Sequence, residues 1–170
     1  MNLQSPRMNK TLWTLQVLWG VFFSQNGFGK ICCLNTDLWN KSLHDVAWFS
    51  AIPQHVFVLI GVCEFLGGLG LILPGITGIK PRLTSLAGAG LTLTMIVAAI
   101  FHMVRGEYTF LPINLFLAAG AASIAFGRWP AQPAQGTRLT SPRWLRGVTV
   151  LTAVFLLDTA PVWVKWAHLH

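Results

Sequence analysis

Residues 53–74 read PQHVFVLIGVCEFLGGLGLILP, and these 22 positions hold a single Asp, Glu, Lys or Arg, which is Glu64. A helix rises about 1.5 Å per residue, so about 20 apolar residues cross a hydrocarbon core of about 30 Å. The apolar character is continuous and does not alternate, as it would in a barrel strand. The stretch therefore predicts a transmembrane helix.

Other apolar stretches lie on both sides of this one. They cover residues 11–34, 83–104, 109–127 and 147–165. The first three of these are long enough to span a membrane, whereas the last is shorter and contains Asp158 and Pro161. We therefore predict an all-α membrane protein, a four-helix transmembrane bundle with a fifth C-terminal helix.

The composition excludes most other classes of protein. Of the 170 residues, 54% are hydrophobic and 10% are charged, whereas soluble domains carry about 25% charged residues. A soluble domain of this size could not bury so much apolar surface. The three cysteines are too few for a disulfide framework or a four-ligand zinc site, so we expect no metal.

The basic residues predict the orientation in the bilayer. The net charge is +7, but the Lys and Arg residues lie between apolar stretches and form no dense stripe, so nucleic acid is not an expected partner. Eight of the twelve fall in the N-terminal tail, the 75–82 turn and the 128–147 segment, which lie on one side. The positive-inside rule then places the N-terminus of this multi-pass protein in the cytoplasm.

The chain divides into three parts. Residues 1–128 hold the four-helix core, and residues 129–147 are rich in Pro and Arg and predict a cytoplasmic linker. Residues 148–170 form the C-terminal apolar helix. Whether its 148–165 part crosses the membrane, and what Asp158 does, is left open.

Glu64 is the strongest candidate for function. It lies about 12 to 16 Å from either end of its helix, where a carboxylate costs several kcal/mol unless it is paired, protonated or facing water. Gly61 and Gly68 share its face and allow another backbone to come close. Glu64 is either a protonated residue that holds helices together, or a functional carboxylate or member of an ion pair.

Polar residues on the neighbouring helices could accompany it. Gln16, Asn26 and Lys30 recur at helical spacing in the first stretch, which predicts a face turned into the bundle, although Lys30 could instead snorkel to the interface. His102, near the end of the third helix, is either a titratable group or a hydrogen-bonded interface residue. The candidate intramembrane site comprises Asn26, Lys30, Glu64 and His102, and no catalytic residue is assigned.

Four motifs resemble the DoxX-like family of membrane proteins. They are FFSQNGFGK (22–30), IGVCEFLGGLGLILPGITG (60–78), LTSLAGAGLTLTMIVAAIFHMVRGE (83–107) and AFGR (125–128). The resemblance implies a four-helix bundle in a bacterial or archaeal cytoplasmic membrane. It also implies a link to quinone-dependent redox systems, because the family takes its name from a subunit of a thiosulfate–quinone oxidoreductase.

Three functions follow as hypotheses. In a quinone-linked redox subunit, Glu64 would handle a proton, and Lys30 or His102 would donate to a quinone carbonyl. The sequence has no haem-ligand pair, dinucleotide fingerprint or iron–sulfur cysteine set, so electrons would come from a partner redox protein. The alternatives are a non-catalytic membrane scaffold or assembly partner and a small proton-coupled transporter. The sequence does not decide whether the protein is an enzyme or a homo-oligomer.

Overall fold

The structure, a computed structural model, describes residues 6–45, 47–78, 80 and 82–129. This part of the chain folds into α1 (Pro6–Cys32), α2 (Thr36–Asp45), α3 (Gln54–Thr77), α4 (Arg82–Val104) and α5 (Leu111–Gly127), with 3₁₀ turns at Ala47–Ala51 and Tyr108–Phe110. The prediction of an all-α membrane fold is confirmed. The predicted C-terminal helix (148–170) and all but the first residue of the linker (129–147) lie outside the described residues.

The four long helices form an antiparallel ring. The helix α1 packs on α3, α3 on α4, α4 on α5, and α5 returns to α1. By length and composition, the described helices that can cross a membrane are α3, α4 and the Tyr108–Gly127 segment. The more polar α1 lies along α3 from Trp13, beside Gly75, to Ile31, beside Gly61, so it traverses the same depth.

The interior is apolar, with a few bonded polar groups. The core consists of Trp19, Phe23, Leu71, Leu91, Met95, Leu117, Ala118, Ala121 and Ile124. The indole of Trp19 donates to the Leu117 carbonyl at 2.9 Å, which ties α1 to α5. Gln16 Nε2 donates to the Leu71 carbonyl at 2.8 Å and ties α1 to α3. These side chain to backbone bonds satisfy the indole N–H of Trp19 and an amide N–H of Gln16 inside the bundle.

Two pairs of glycines let α1 and α3 approach to backbone contact. A Cβ atom built on Gly61 would lie 2.8 Å from the Gly27 carbonyl oxygen, and one built on Gly68 would lie 2.6 Å from the Gly20 carbonyl oxygen. Real side chains do not tolerate such distances, so both interfaces require glycine. Small residues at helix contacts are typical of membrane bundles, where close packing replaces hydrophobic association.

The outer surface of the ring is apolar. Large side chains such as Leu59, Leu93, Leu115 and Phe116 are between 55% and 62% exposed. Exposed apolar area of this kind, spread over three long helices, requires lipid around it. The protein is therefore a multi-pass membrane protein.

A short helix and an aromatic cluster cover one end of the ring. The Asn35 side chain accepts bonds from the Asp37 and Leu38 amides, which begins α2. The cluster that we call the aromatic cap consists of Trp39, Trp48, Phe49 and Phe57, with ring centroids 4.4 to 6.1 Å apart. We call this the Lys30 end of the bundle, and the opposite end, where α5 finishes, the Arg128 end.

Candidate functional site

An ion pair joins α1 to α3 inside the bundle. Glu64 is 4% exposed, and its Oε2 lies 2.5 Å from Lys30 Nζ. The glycine contact one turn away explains the geometry, because Gly61 has no side chain to keep the stem of Lys30 from α3. Lys30 therefore reaches the carboxylate directly and does not extend toward the interface.

A cavity of about 410 Å³ lies beside Lys30. Trp48, Phe49 and Phe57 of the aromatic cap line it, together with Phe28. Gln25 and Asn26 contribute amide groups to the same cavity. It therefore combines flat apolar walls with a few polar groups, which is the usual make-up of a small-molecule site.

The two amides differ in what they offer. Gln25 lines the cavity, and its Nε2 is buried without a hydrogen-bond partner, so this residue has an unsatisfied donor. Asn26 is exposed, and its Nδ2 donates to the Phe22 carbonyl at 2.9 Å. The predicted burial of Asn26 is corrected: it lies about 80° around the helix from Gln16, at the edge of the buried face.

Cys33 and Ser42 line another part of the cavity. Cys33 is buried, and its Sγ lies 3.6 Å from the Gly29 carbonyl and 3.8 Å from Ser42 Oγ. Cys32, Cys33 and Cys63 are all free thiols. Cys33 thus packs as a small apolar residue with weak polar contacts.

His102 belongs to a second group at the same end. Its Nδ1 lies 2.7 Å from Glu107 Oε2, and Arg105 Nε donates to the other oxygen of Glu107 at 2.9 Å. The imidazole stacks on Phe110 at 4.6 Å and meets the edge of Trp48 at 5.3 Å. The structure thus brings Lys30 and Glu64 into contact but holds His102 in a separate group. Trp48 stands between them, because it contacts His102 and lines the cavity.

Glu107 has a depressed pKa. The hydrogen bond from Arg105 is the largest cause, and that from His102 follows. The carboxylate lies in the loop between α4 and α5, where Gly106 takes a φ of 74° and allows the tight turn. The contribution of Glu107 to stability is therefore present above its unfolded-state pKa of about 4.3. It is lost as the pH falls through the lower folded-state pKa.

Glu107→Gln should accordingly show a pH-dependent loss of stability. At neutral pH the variant should melt below the wild type, because it lacks the charge that Arg105 and His102 bind. The two melting temperatures should converge as the pH falls through the lowered pKa of Glu107, where the wild-type carboxylate also takes up a proton. Thermal unfolding in detergent between about pH 3 and pH 8 measures this. A constant difference over that range would contradict the assignment.

Several residues at this end escape detection from the sequence alone. Trp48 and Phe49 look like interfacial aromatics, because nothing local shows that a 3₁₀ turn directs them onto the bundle. Glu107 lies five positions beyond His102, too far for one helix face, and only the turn at Gly106 brings it back. The sequence signal that could have indicated this turn is Gly106, which lies between His102 and Glu107 just after a long helix.

Comparison with known proteins identifies the family of the chain. The model of the DoxX-like family matches residues 14–125, about two thirds of the chain. This range includes Lys30, Glu64, His102 and the whole aromatic cap. No curated protein and no solved structure matches the chain. The protein therefore belongs to the DoxX-like family.

Proposed function

We propose that the protein is a quinone-binding membrane subunit linked to redox chemistry, with the quinone headgroup in the cavity beside Lys30. One observation carries the proposal. Lys30 and Gln25, whose Nε2 has no hydrogen-bond partner, line a single cavity that has aromatic walls. A quinone is a flat ring with two carbonyl acceptors, so it matches both features.

The charge of the cavity favours a neutral ligand. Glu64 neutralises Lys30, so the pair offers hydrogen-bond donors without a net charge. An anionic substrate would gain little from such a pair, whereas a carbonyl oxygen needs only a donor. The apolar rings of Phe49 and Phe57 are likewise suited to an uncharged ring.

The residues have defined roles toward the headgroup. Lys30 would donate to one carbonyl oxygen from Nζ, and Glu64 would orient the Lys30 ammonium through Oε2. Gln25 would donate to the same ligand from Nε2. When bound, a quinone accepts two electrons and two protons, and the electrons would come from a partner redox protein.

The quenching of tryptophan fluorescence by a short-chain benzoquinone tests the proposal. Trp48 lines the cavity, so binding should quench its emission. Gln25→Leu should weaken binding about tenfold, since it removes one donor and leaves the fold intact. The matched control is Asn40→Leu, which also replaces an amide side chain with leucine, at an exposed position of α2, and should bind like the wild type.

Two results would count against the proposal. Purified protein that shows no saturable quenching binds no quinone at this position. Equal affinities for the wild type and Gln25→Leu would show that the ligand binds elsewhere. Lys30→Met is a less suitable probe, because it also breaks the ion pair that joins α1 to α3.

A second candidate function is a non-catalytic scaffold or assembly partner. The observation that favours it is the position of the ion pair beside the Gly27–Gly61 contact, where it would lock two helices together. In a scaffold, Glu64→Gln would lower stability while partner proteins would still co-purify with whatever variant remains folded. Specific quinone binding would be absent.

We further propose that the N-terminus is cytoplasmic in an inner membrane. The support is the positive-inside rule: at the Arg128 end, Lys10, Lys80, Arg82 and Arg128 accompany no Asp or Glu among the described residues. The cavity would then open toward the opposite face. A fluorescent protein that matures only in the cytoplasm should fluoresce when it is fused to the N-terminus. A dark fusion of normal abundance would contradict this orientation.

A further inference from the structure

Arg128 lies at the end opposite the cavity and is held in a fixed position. It directly follows α5, and its guanidinium folds back over the first turns of α1. Nε donates to Gln16 Oε1 at 2.7 Å, and Nη1 donates to Asn9 Oδ1 at 2.9 Å. The guanidinium carbon lies 5.5 Å from the centre of the Trp13 ring.

Within the described part of the chain, the groups around the guanidinium neutralise none of its charge. Gln16 and Asn9 are neutral amides, and the Nη2 atom of Arg128 is buried without a hydrogen-bond partner. The described residues of the Arg128 end contain no Asp or Glu, whereas Lys10, Lys80 and Arg82 add further positive charge. A partly buried cation without a counter-ion is costly, so this arrangement calls for an anion.

The site is also preorganised. Gln16 is 1% exposed, and its Nε2 is bonded to the Leu71 carbonyl. That bond fixes the amide so that its oxygen faces Arg128. An arginine that only anchors a helix at the interface has a mobile head, whereas this one is ordered before a ligand arrives, which reduces the entropy lost on binding.

We propose that Arg128 is the centre of a phosphate-binding site at the membrane interface, and that its ligand is the phosphate of an anionic lipid headgroup. The guanidinium has N–H groups left on Nη1 and Nη2, and a planar fork of this kind pairs with two phosphate oxygens. Nη2 is buried without a ligand, so the groups that cover it have to move aside when the phosphate binds. Asn9, whose Oδ1 already accepts from Arg128, offers its Nδ2 as a further donor. Arg128 directly follows the candidate span Tyr108–Gly127, so we place the site at the depth of the headgroups.

Thermal unfolding in a neutral detergent tests this site. Short-chain phosphatidylglycerol should raise the melting temperature of the wild type more than short-chain phosphatidylcholine or diacylglycerol does. Arg128→Gln should lower the apparent affinity for phosphatidylglycerol about tenfold. The matched control is Arg82→Gln, which removes an exposed arginine from the same end and should change that affinity little.

A third variant and a second probe separate the remaining readings. Arg128→Lys keeps the charge but loses the fork, so it should bind weakly if the fork is what recognises phosphate. Arg128→Lys also keeps the proposal testable if Arg128→Gln does not fold. Inorganic phosphate could also stabilise the wild type as strongly as the lipid does and leave Arg128→Gln unchanged. The site would then bind phosphate, but its ligand would be a soluble phosphate and not a lipid headgroup.

Three results would overturn the proposal. Equal lipid affinities for the wild type, Arg128→Gln and Arg128→Lys would show that the guanidinium binds no headgroup. An unchanged melting temperature with every phosphate compound would do the same. The only acid outside the described residues is Asp158. If Asp158→Asn creates the lipid response or strengthens it markedly, the counter-ion of Arg128 is a carboxylate of the chain.

Discussion

Glu64→Leu should lower the free energy of unfolding by about 3 kcal/mol, because it leaves the ammonium of Lys30 inside the bundle without a counter-charge. Lys30→Met should cost a similar amount, since it leaves the carboxylate of Glu64 unpaired at 4% exposure. Unfolding in mixed micelles, with increasing proportions of a denaturing detergent, measures both losses.

The double variant Lys30→Met/Glu64→Leu provides the control. Removing both charges together replaces an ion pair with apolar groups of similar volume, which is often neutral for stability. We therefore expect the double variant to recover most of the lost stability, with a coupling energy of about 2 kcal/mol or more. If the two single losses simply add, the pair does not hold α1 to α3.

Gly27→Ala should be the most damaging small substitution on α1. The new Cβ would lie 2.5 Å from the carbonyl oxygen of Gly61 and would also overlap the backbone of Phe65. Backbone atoms cannot rotate away, so the two helices have to separate. Overpacking of this kind costs about 1 to 3 kcal/mol, and the separation also stretches the Lys30–Glu64 pair. The same unfolding assay measures the loss.

Gly29→Ala is the matched control in the same helix. Its Cβ would meet no atom within 4 Å, and alanine stabilises a helix relative to glycine by about 0.5 to 1 kcal/mol. We expect the variant to be as stable as the wild type or slightly more so. Equal losses for the two alanine variants would mean that α1 and α3 do not meet at Gly27.

The long helices were largely predictable because lipid imposes a simple rule on sequence. The predicted stretches 53–74 and 83–104 agree with α3 and α4 within three residues at each end. The helix α1 begins earlier than predicted, at Pro6, because a helix can extend beyond the apolar core through polar residues. The buried face of α3 was likewise predictable, because Gly61, Glu64 and Gly68 lie on one side of the helix.

The covering of the Lys30 end was not predictable from apolar runs. The helix α2 is short and polar on one side, so its sequence resembles a loop between two spans. Its start signal was present in Asn35 and Asp37, a cap residue followed by an acid in the first turn. The inward direction of Trp48 and Phe49 depends on tertiary packing, which local sequence does not encode.

The candidate site was predictable only in part. The contact between Lys30 and Glu64 was one of the alternatives that the sequence left open, since opposite charges on adjoining helices within a membrane attract each other. The separation of His102 does not follow from depth, because it depends on the turn that returns Glu107 to the end of α4. Functional roles for Asn26, Lys30, Glu64 and His102 stay predictions.

Photolabelling with an azido-benzoquinone, followed by peptide mapping, tests the proposed quinone site most directly. The labelled peptides should come from residues 25–33 and 48–57, which line the cavity from α1 and from the aromatic cap. An excess of unlabelled quinone should abolish this labelling, and Gln25→Leu should reduce it. Labels confined to the lipid-facing surfaces of α4 and α5, or labels that competitor quinone does not displace, would contradict a quinone site beside Lys30.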